Sequence, residues 1–133
     1  MNEIDNKYRI LIVEDDMACV RFLKEILPDE FIVDSVYSGI EALSKVEQKH
    51  FDLILLGIIL PDMSGLEVCR KIKKEWNKKT IKIIIQTAQA YETDRDKGFS
   101  VGADDYITKP YDHEILLSKI DDFRKERLKY QLN

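Results

Sequence analysis

The chain first becomes informative at Ile10-Leu11-Ile12-Val13-Glu14-Asp15-Asp16, where four apolar residues run directly into three carboxylates. An apolar run without polar alternation is typical of a strand that is buried on both faces, as in a parallel sheet. Further runs of this kind are Phe31–Val33, Leu53–Leu56, Ile81–Ile85 and Tyr106–Ile107. The sequence therefore predicts five buried strands, the first of which ends in a cluster of acids.

Segments with helical spacing of apolar residues lie between these strands. The first three helices are marked by Val20, Leu23 and Leu27, by Ile40, Leu43 and Val46, and by Leu66, Cys69, Ile72 and Trp76. Ser38 and Ser64 each begin an S-x-x-E pattern, which fits the capping box at a helix start. The last helix is expected to start near Asp112 and to run to about Tyr130.

Strands that alternate with helices predict a doubly wound α/β fold, with right-handed crossovers and helices on both faces of a parallel sheet. The length of 133 residues favours one domain over residues 1–133, with a core from about 8 to 127. The charge-rich stretch Asp121–Lys129 is interpreted as a solvated helix end, with the start of a linker as the alternative.

The composition indicates a globular protein, with 44% hydrophobic and 35% charged residues. The formal net charge of -4 gives no electrostatic argument for nucleic-acid binding. The longest apolar run, Leu53–Leu60, is too short to span a membrane, and Met1–Lys7 lacks the apolar region of a signal peptide. Cys19 and Cys69 fall at apolar helical positions and are predicted to be free thiols in a reducing compartment. We therefore expect a cytoplasmic protein.

Functional groups are expected at the carboxyl ends of the strands, where doubly wound sheets bind their ligands. Glu14 and Asp15 follow the first predicted strand, Thr87 follows the fourth and Lys109 the fifth. Adjacent carboxylates suit Mg²⁺, which prefers hard oxygen ligands, whereas Asp16 is better explained as the cap of the first helix. A hydroxyl and an ammonium are the groups that would hold the oxygens of a transferring phosphoryl group.

Four motifs, in their order and spacing, resemble a response-regulator receiver domain from about Tyr8 to Arg127. They are Ile10–Asp16, Phe51–Leu56 with Leu60–Gly65, the Thr87–Ala88 step, and Gly102–Pro110. The resemblance implies a flavodoxin-like (βα)5 three-layer sandwich whose five-stranded parallel sheet has the order 2-1-3-4-5. It also implies a function in two-component phosphorelay signalling, which Mg²⁺-dependent phosphorylation of an aspartate normally switches.

The resemblance assigns roles to the polar residues at the strand ends. Glu14, Asp15 and the backbone carbonyl of Ile59 would hold Mg²⁺, and Lys109 would pair with a phosphoryl oxygen. The peptide bond between Lys109 and Pro110 would be cis, an isomer that proline allows.

Thr87 and Tyr106 would form the switch, Thr87 by moving to bond the phosphoryl group and Tyr106 by turning between outward and inward rotamers. The change would reach a partner surface on the fourth helix, the fifth strand and the fifth helix, including Tyr91–Phe99. Implied partners are a sensor histidine kinase or phosphotransfer protein and a downstream output protein or domain, and a homodimer would use the same face. Neither nucleic acid nor a membrane is an expected partner.

One position departs from the family pattern, because Gly57 stands where receivers carry the phosphoacceptor aspartate. Glycine offers no nucleophile, so we expect no phosphorylation at this site and weaker Mg²⁺ binding. Asp52 lies at the far end of the strand, about 16 Å away at 3.3 Å per residue, and Asp62 would have to turn into the cleft. The alternative is that the backbone requires Gly57, through a positive φ or a close approach.

Signal transduction is the expected function, as a receiver that is not phosphorylatable at Gly57 or as a phosphorylation-independent pseudo-receiver that binds partners. An enzyme is not expected, since a metal-dependent phosphohydrolase would still need a nucleophile or an activated water. Nucleotide and flavin sites use the same topology, but the Glu14–Asp16 turn has no glycine and would repel phosphate. His50 and His113 are predicted to be surface residues and not phosphotransfer histidines.

Overall fold

The computed structural model describes residues 6–88 and 92–132, with the backbone alone for 92–94 and 130–132. Within these ranges, strands and helices alternate along the chain. The strands are β1 (Arg9–Val13), β2 (Ile32–Val36), β3 (Leu53–Gly57), β4 (Lys82–Thr87) and β5 (Asp105–Thr108). The helices are α1 (Met17–Ile26), α2 (Gly39–Gln48), α3 (Gly65–Arg70), α4 (Glu92–Ser100) and α5 (His113–Leu132).

The strands form one parallel sheet in the order β2-β1-β3-β4-β5. This order confirms the predicted doubly wound topology. It reverses direction between β1 and β3, so the crevice outside their carboxyl ends is the place where such a sheet binds ligands.

Helices cover both faces of the sheet and complete a three-layer sandwich. One core layer joins Ile12, Leu55 and Ile84 to α1 and α5, and the other joins Leu11, Ile54 and Ile83 to α2 and α3. All six strand residues are fully buried. Burial on both faces explains why the central strands are apolar throughout and do not alternate with polar residues.

The edge strand β2 is longer than its apolar run predicts. The run Phe31–Val33 marks its beginning, yet β2 continues through Asp34 and Ser35 to Val36. β2 lies at the end of the strand order, beside β1. A strand at a sheet edge is partly solvated, so it accepts polar residues that a central strand would exclude.

Ile40 does not lie on the buried face of α2, so that prediction is wrong. Its side chain is 63% exposed, whereas Ala42 and Val46 are buried. Successive three-residue steps drift around a helix by about 60° each, because one turn takes 3.6 residues. Ala42 and Val46 are four residues apart and share one stripe, and Ile40 lies well away from it.

The third helix is not uniform, since α3 continues as a π-helical turn over Lys71–Glu75. The predicted apolar residues keep their role: Cys69 and Ile72 are fully buried, and Trp76 packs against the same core layer. The wider π turn changes the helical phase, which the spacing of apolar residues alone did not indicate.

The three predicted cap residues lie at their helix starts, but the capping box predicted at Ser64 is not formed, because the Glu67 carboxylate is bonded to Arg70. Asp16 Oδ1 accepts a hydrogen bond from the Ala18 N–H at 3.0 Å, Ser38 Oγ accepts from Glu41 N–H at 3.2 Å, and Ser64 Oγ accepts from Leu66 N–H at 3.1 Å. These caps fix where α1, α2 and α3 begin, and therefore the loops that border the carboxyl edge of the sheet.

Candidate functional site

A pocket of about 220 Å³ opens at the carboxyl edge of the sheet, at the reversal of strand order. Four strand ends supply its lining, which consists of Glu14, Asp15, Asp16, Gly57, Ile58, Ile59, Gln86, Thr87, Ala88 and Lys109. The structure thus brings together most of the predicted site residues. Tyr106 and Pro110 do not line the pocket.

Glu14 is the buried acid of the pocket, with 5% of its surface exposed. Its Oε2 accepts a hydrogen bond from Lys109 Nζ at 3.0 Å, which forms an ion pair between the ends of β1 and β5. Its Oε1 accepts from the Asp16 N–H at 3.4 Å. Burial is the largest single influence on Lys109 and lowers its pKa, but the contacts with Glu14 and Cys19 together outweigh it and raise the pKa of Lys109.

Gly57 is the last residue of β3, and its backbone does not require glycine. Gly57 does not have a positive φ, in contrast to Gly102. A Cβ at position 57 would lie 2.9 Å from Glu14 Oε2 and 3.4 Å from the Val13 carbonyl oxygen. Only the tip of a flexible side chain would have to move, so the explanation of Gly57 as a backbone necessity is not supported.

The two other aspartates near β3 are committed elsewhere. Asp62 accepts hydrogen bonds from the backbone N–H groups of Gly39 and Ile40, both at 2.8 Å, and so caps α2. Asp52 Oδ2 accepts from Arg9 N–H at 2.8 Å and from Arg127 at 3.1 Å, at the opposite edge of the sheet. Neither carboxylate lines the pocket beside Gly57.

The ends of β4 and β5 hold Thr87 and Lys109 next to each other. The Lys109 N–H donates to the Thr87 carbonyl oxygen at 2.7 Å, and Thr87 is buried. The peptide bond between Lys109 and Pro110 is cis, the isomer that the resemblance implies.

Tyr106 is buried in the core layer of α2 and α3, with 5% of its surface exposed. A Cβ at Gly98 of α4 would lie 3.5 Å from its ring. Tyr106 is thus buried against α4, while its predicted role as a switch stays a prediction. Of the predicted partner surface, Phe99 and Ile115 are exposed apolar residues, and Tyr91 lies outside the described residues.

Gln86 and Tyr111 are residues of the site region that the sequence analysis did not single out. Gln86 lies beside Gly57 in the sheet register and is 1% exposed. Tyr111 Oη donates to Gln86 Oε1 at 2.8 Å, while Gln86 Nε2 is buried without a hydrogen-bond partner among the described residues. A glutamine at the end of an otherwise apolar strand was the available signal.

The receiver family generally binds Mg²⁺, yet the side chains of this pocket do not fit a tightly held cation. Both oxygens of Glu14 already accept hydrogen bonds, and Gly57 contributes no carboxylate. Within residues 6–88 and 92–132, no group of three His, Cys, Asp or Glu side chains is placed to hold a metal ion. Of the two acids predicted to bind Mg²⁺, the exposed Asp15 is the one that remains as a ligand for a cation.

A larger cavity, of about 310 Å³, lies at the opposite edge of the sheet. Its lining includes Tyr8, Asp52, Lys82, Phe123 and Arg127. It is remote from the pocket that contains Gly57, and none of the predicted site residues borders it.

The fold and this pocket define a class of doubly wound α/β domains with acids and a lysine at the topological switch point. The response regulator receiver domain family matches residues 10–121, and the chain belongs to this family. No helix among the described residues combines the length and the apolar character needed to cross a bilayer.

Among its relatives is the response regulator ArlR of Staphylococcus aureus (strain Mu50). It is 43% identical over 113 residues, which cover 84% of this chain and 50% of ArlR. The chain therefore spans about half the length of the curated relatives it matches.

Solved receiver structures have the same fold. A CheY-like receiver domain protein from Methanospirillum hungatei JF-1 has a TM-score of 0.85 and 36% identity, covering 93% of this chain and 98% of its own. The BeF3-activated DrrB receiver domain has a TM-score of 0.82 and 33% identity, covering 90% and 98%. DrrB of Thermotoga maritima, an OmpR/PhoB homologue, has a TM-score of 0.82 and 32% identity; the match covers 91% of this chain and 54% of that chain.

Proposed function

We propose that this chain is a receiver domain in which Gly57 occupies the phosphoacceptor position, so that it cannot be phosphorylated there. The phosphoacceptor of a receiver is a carboxylate that attacks phosphorus and becomes an acyl phosphate. Glycine has no atom that can form this bond. The domain then acts in two-component signalling without the covalent step, and it is not an enzyme.

The observation that carries this proposal is the position of Gly57 inside an otherwise complete pocket. Glu14, Thr87 and Lys109 surround it on the neighbouring strand ends, and the backbone would accept a side chain at position 57. Asp62, the acid on the loop that follows β3, is held by the first turn of α2. The missing nucleophile therefore has no substitute on β3 or on the loop that follows it.

The remaining residues keep the roles that the family assigns to them, in weakened form. When bound, Mg²⁺ would neutralise phosphoryl oxygens, and Glu14, Asp15 and the Ile59 carbonyl are its proposed ligands. Their affinity for Mg²⁺ should be low, because the third carboxylate is missing and Glu14 is paired with Lys109. Thr87 and Tyr106 form the proposed switch, and the burial of both side chains supports their place inside the domain.

The proposed partners are a sensor histidine kinase or phosphotransfer protein and a downstream output protein or domain. The relatives that extend beyond this chain support an output module, since the chain covers about half of their length. The exposed apolar residues Phe99 and Ile115 support partner or homodimer contacts on the face of α4, β5 and α5. The acidic net charge and the short apolar runs favour a cytoplasmic protein that binds neither nucleic acid nor a membrane.

Phosphodonor treatment tests this proposal. The chain and its Gly57→Asp variant are each incubated with acetyl phosphate and Mg²⁺, and intact masses are recorded before and after mild acid. The variant should gain one acid-labile phosphoryl group and the parent none. An acid-labile adduct on any pocket carboxylate of the parent would refute the proposal.

A second candidate function is that of a phosphorylation-independent pseudo-receiver that binds its partner constitutively. The ion pair between Glu14 and Lys109 favours it, because the pocket lysine already has a counterion without a phosphoryl group. Partner capture with and without phosphodonor distinguishes the two functions. Equal capture by the parent under both conditions supports the pseudo-receiver, and no capture under either supports an inactive copy.

A further inference from the structure

We propose that Glu14 acts as an internal counterion of Lys109 and keeps free oxyanions, inorganic phosphate included, out of the pocket. This inference rests on the proposed function, because it concerns what happens to the pocket lysine when residue 57 has no carboxylate. It makes Glu14 a specificity-determining residue as well as a proposed metal ligand.

The geometry places the Glu14 carboxylate where a side chain at position 57 would begin. Its Oε2 lies 2.9 Å from the Cβ position of residue 57 and 3.0 Å from Lys109 Nζ. A single oxygen thus fills the space next to Gly57 and holds the ammonium. Only 7% of the Glu14 side chain is exposed, so the ion pair with Lys109 is largely shielded from solvent.

An incoming oxyanion would have to displace this carboxylate from Lys109. Glu14 is tethered to β1, so its pairing with the lysine has no association entropy to overcome, whereas a free anion must overcome that loss. Asp15 and Asp16 line the same pocket and add like charge against the anion. The pocket of the parent protein should therefore be nearly inert to phosphate.

The side chain at position 57 determines whether Glu14 pairs with Lys109 or is available to bind a divalent cation. An aspartate at this position would press against Glu14 Oε2 at its Cβ and offer Lys109 a second carboxylate. Glu14 would then be released towards Asp15, where two acids suit a divalent cation. With Gly57, Glu14 remains on the lysine.

Titration with inorganic phosphate, followed by NMR shifts of the pocket amides, tests the inference. Glu14→Gln removes the counterion and should raise the phosphate affinity by roughly tenfold, as expected when a partly buried cation loses its pair. Asp15→Asn is the matched control, because it removes the same charge from the same pocket without releasing Lys109. It should raise the affinity less than about threefold, by relief of repulsion alone. Adding Lys109→Met to Glu14→Gln should abolish the gain.

Gly57→Ala is a second route to the same result that leaves Glu14 in place. Its methyl group would lie 2.9 Å from Glu14 Oε2, the oxygen that pairs with Lys109, so displacement of this oxygen should weaken the pair and give a smaller gain in phosphate affinity. The inference is overturned if neither Glu14→Gln nor Gly57→Ala binds phosphate more tightly than the parent protein does. Equal gains in Glu14→Gln and Asp15→Asn would also overturn it, and so would a gain that survives loss of Lys109.

These outcomes are separate from the test of the proposed function. A covalent adduct on the parent protein would refute the proposed loss of phosphorylation whatever the phosphate titration gives. If the variants bind phosphate no more tightly than the parent and the parent forms no adduct, only the role of Glu14 as a counterion is refuted.

Discussion

Gly65, the first residue of α3, lies against the backbone carbonyl of Gly57 at the end of β3. A Cβ at position 65 would collide with that oxygen, whereas a Cβ at position 57 meets nothing closer than the tip of Glu14. The Gly65 N–H also donates to the Ile58 carbonyl oxygen at 2.7 Å. Two glycines thus meet where β3 ends and α3 begins, and the close packing of α3 requires only the one at position 65.

The first prediction concerns these two glycines. Gly65→Ala should destabilise the protein by about 1–3 kcal/mol, because a backbone carbonyl cannot yield as a side chain can. Gly57→Ala should stay within about 1 kcal/mol of the parent, since alanine gains about 0.5–1 kcal/mol in a strand while Glu14 is displaced. Denaturant midpoints of both variants measure the difference. Equal losses would show that Gly57 is a backbone requirement after all.

The second prediction concerns a restored acid. Without Mg²⁺, Gly57→Asp should be no more stable than the parent, because its carboxylate adds to the charge of Glu14 and Asp15. Two like charges 4 Å apart repel by roughly 4 kcal/mol at an effective dielectric of 20, before screening. Unfolding in urea with and without Mg²⁺ measures this effect. Mg²⁺ should stabilise the variant far more than the parent, and a clear gain of the variant in metal-free buffer would contradict the prediction.

The third prediction concerns the cap of α2. Hydrogen bonds from the N–H groups of Ile40 and Gly39 lower the pKa of Asp62. A carboxylate whose pKa is lower in the folded state adds stability above its unfolded pKa and loses it as the pH falls through the folded pKa. Asp62→Asn should therefore reduce stability at neutral pH, and the difference should disappear in acid. Thermal unfolding from neutral pH to pH about 2 measures it.

A control for this prediction is Asp122→Asn, which alters an exposed carboxylate of α5. It should follow the pH profile of the parent. If the difference in stability between Asp62→Asn and the parent were the same at every pH, the loss would not come from the charge of the cap.

The fourth prediction concerns the buried pair of Gln86 and Tyr111. Tyr111→Phe should cost about 1–3 kcal/mol, because the buried side chain of Gln86 then loses the hydrogen bond that its Oε1 accepts. Adding Gln86→Leu to Tyr111→Phe should recover most of this loss, since two apolar groups leave no polar group unpaired. Free energies of unfolding for the two singles and the double form the cycle. Additive losses would show that the pair is not coupled.

The sequence predicted the strand and helix order and most of the pocket lining from local patterns. Apolar runs gave the strands because parallel strands are buried on both faces, and the polar residues after each run marked the carboxyl edge. The errors lie where burial is partial. The apolar pattern did not predict the polar residues of β2, because this edge strand is partly solvated. It also placed Ile40 on the buried face of α2, where the structure has this residue exposed.

Side-chain pairing in the pocket could not be predicted in the same way. Glu14 and Lys109 are 95 residues apart in the chain, and nothing in their local sequence gives the distance between their charged atoms. Gln86 shows the same limit, because its contact with Tyr111 depends on how the chain leaves β5 after Lys109.

The amino-acid sequence alone determined the alternation of buried strands and amphipathic helices. It also determined that acids, a lysine and a glycine lie together at one edge of the sheet. Those features are local, since each depends on the chemistry of a few consecutive residues. Tertiary structure decided that Gly57 is not forced by the backbone, that Asp62 caps α2, and that Glu14 holds Lys109. Such outcomes depend on distances between strands far apart in the chain, which only the packed sheet sets.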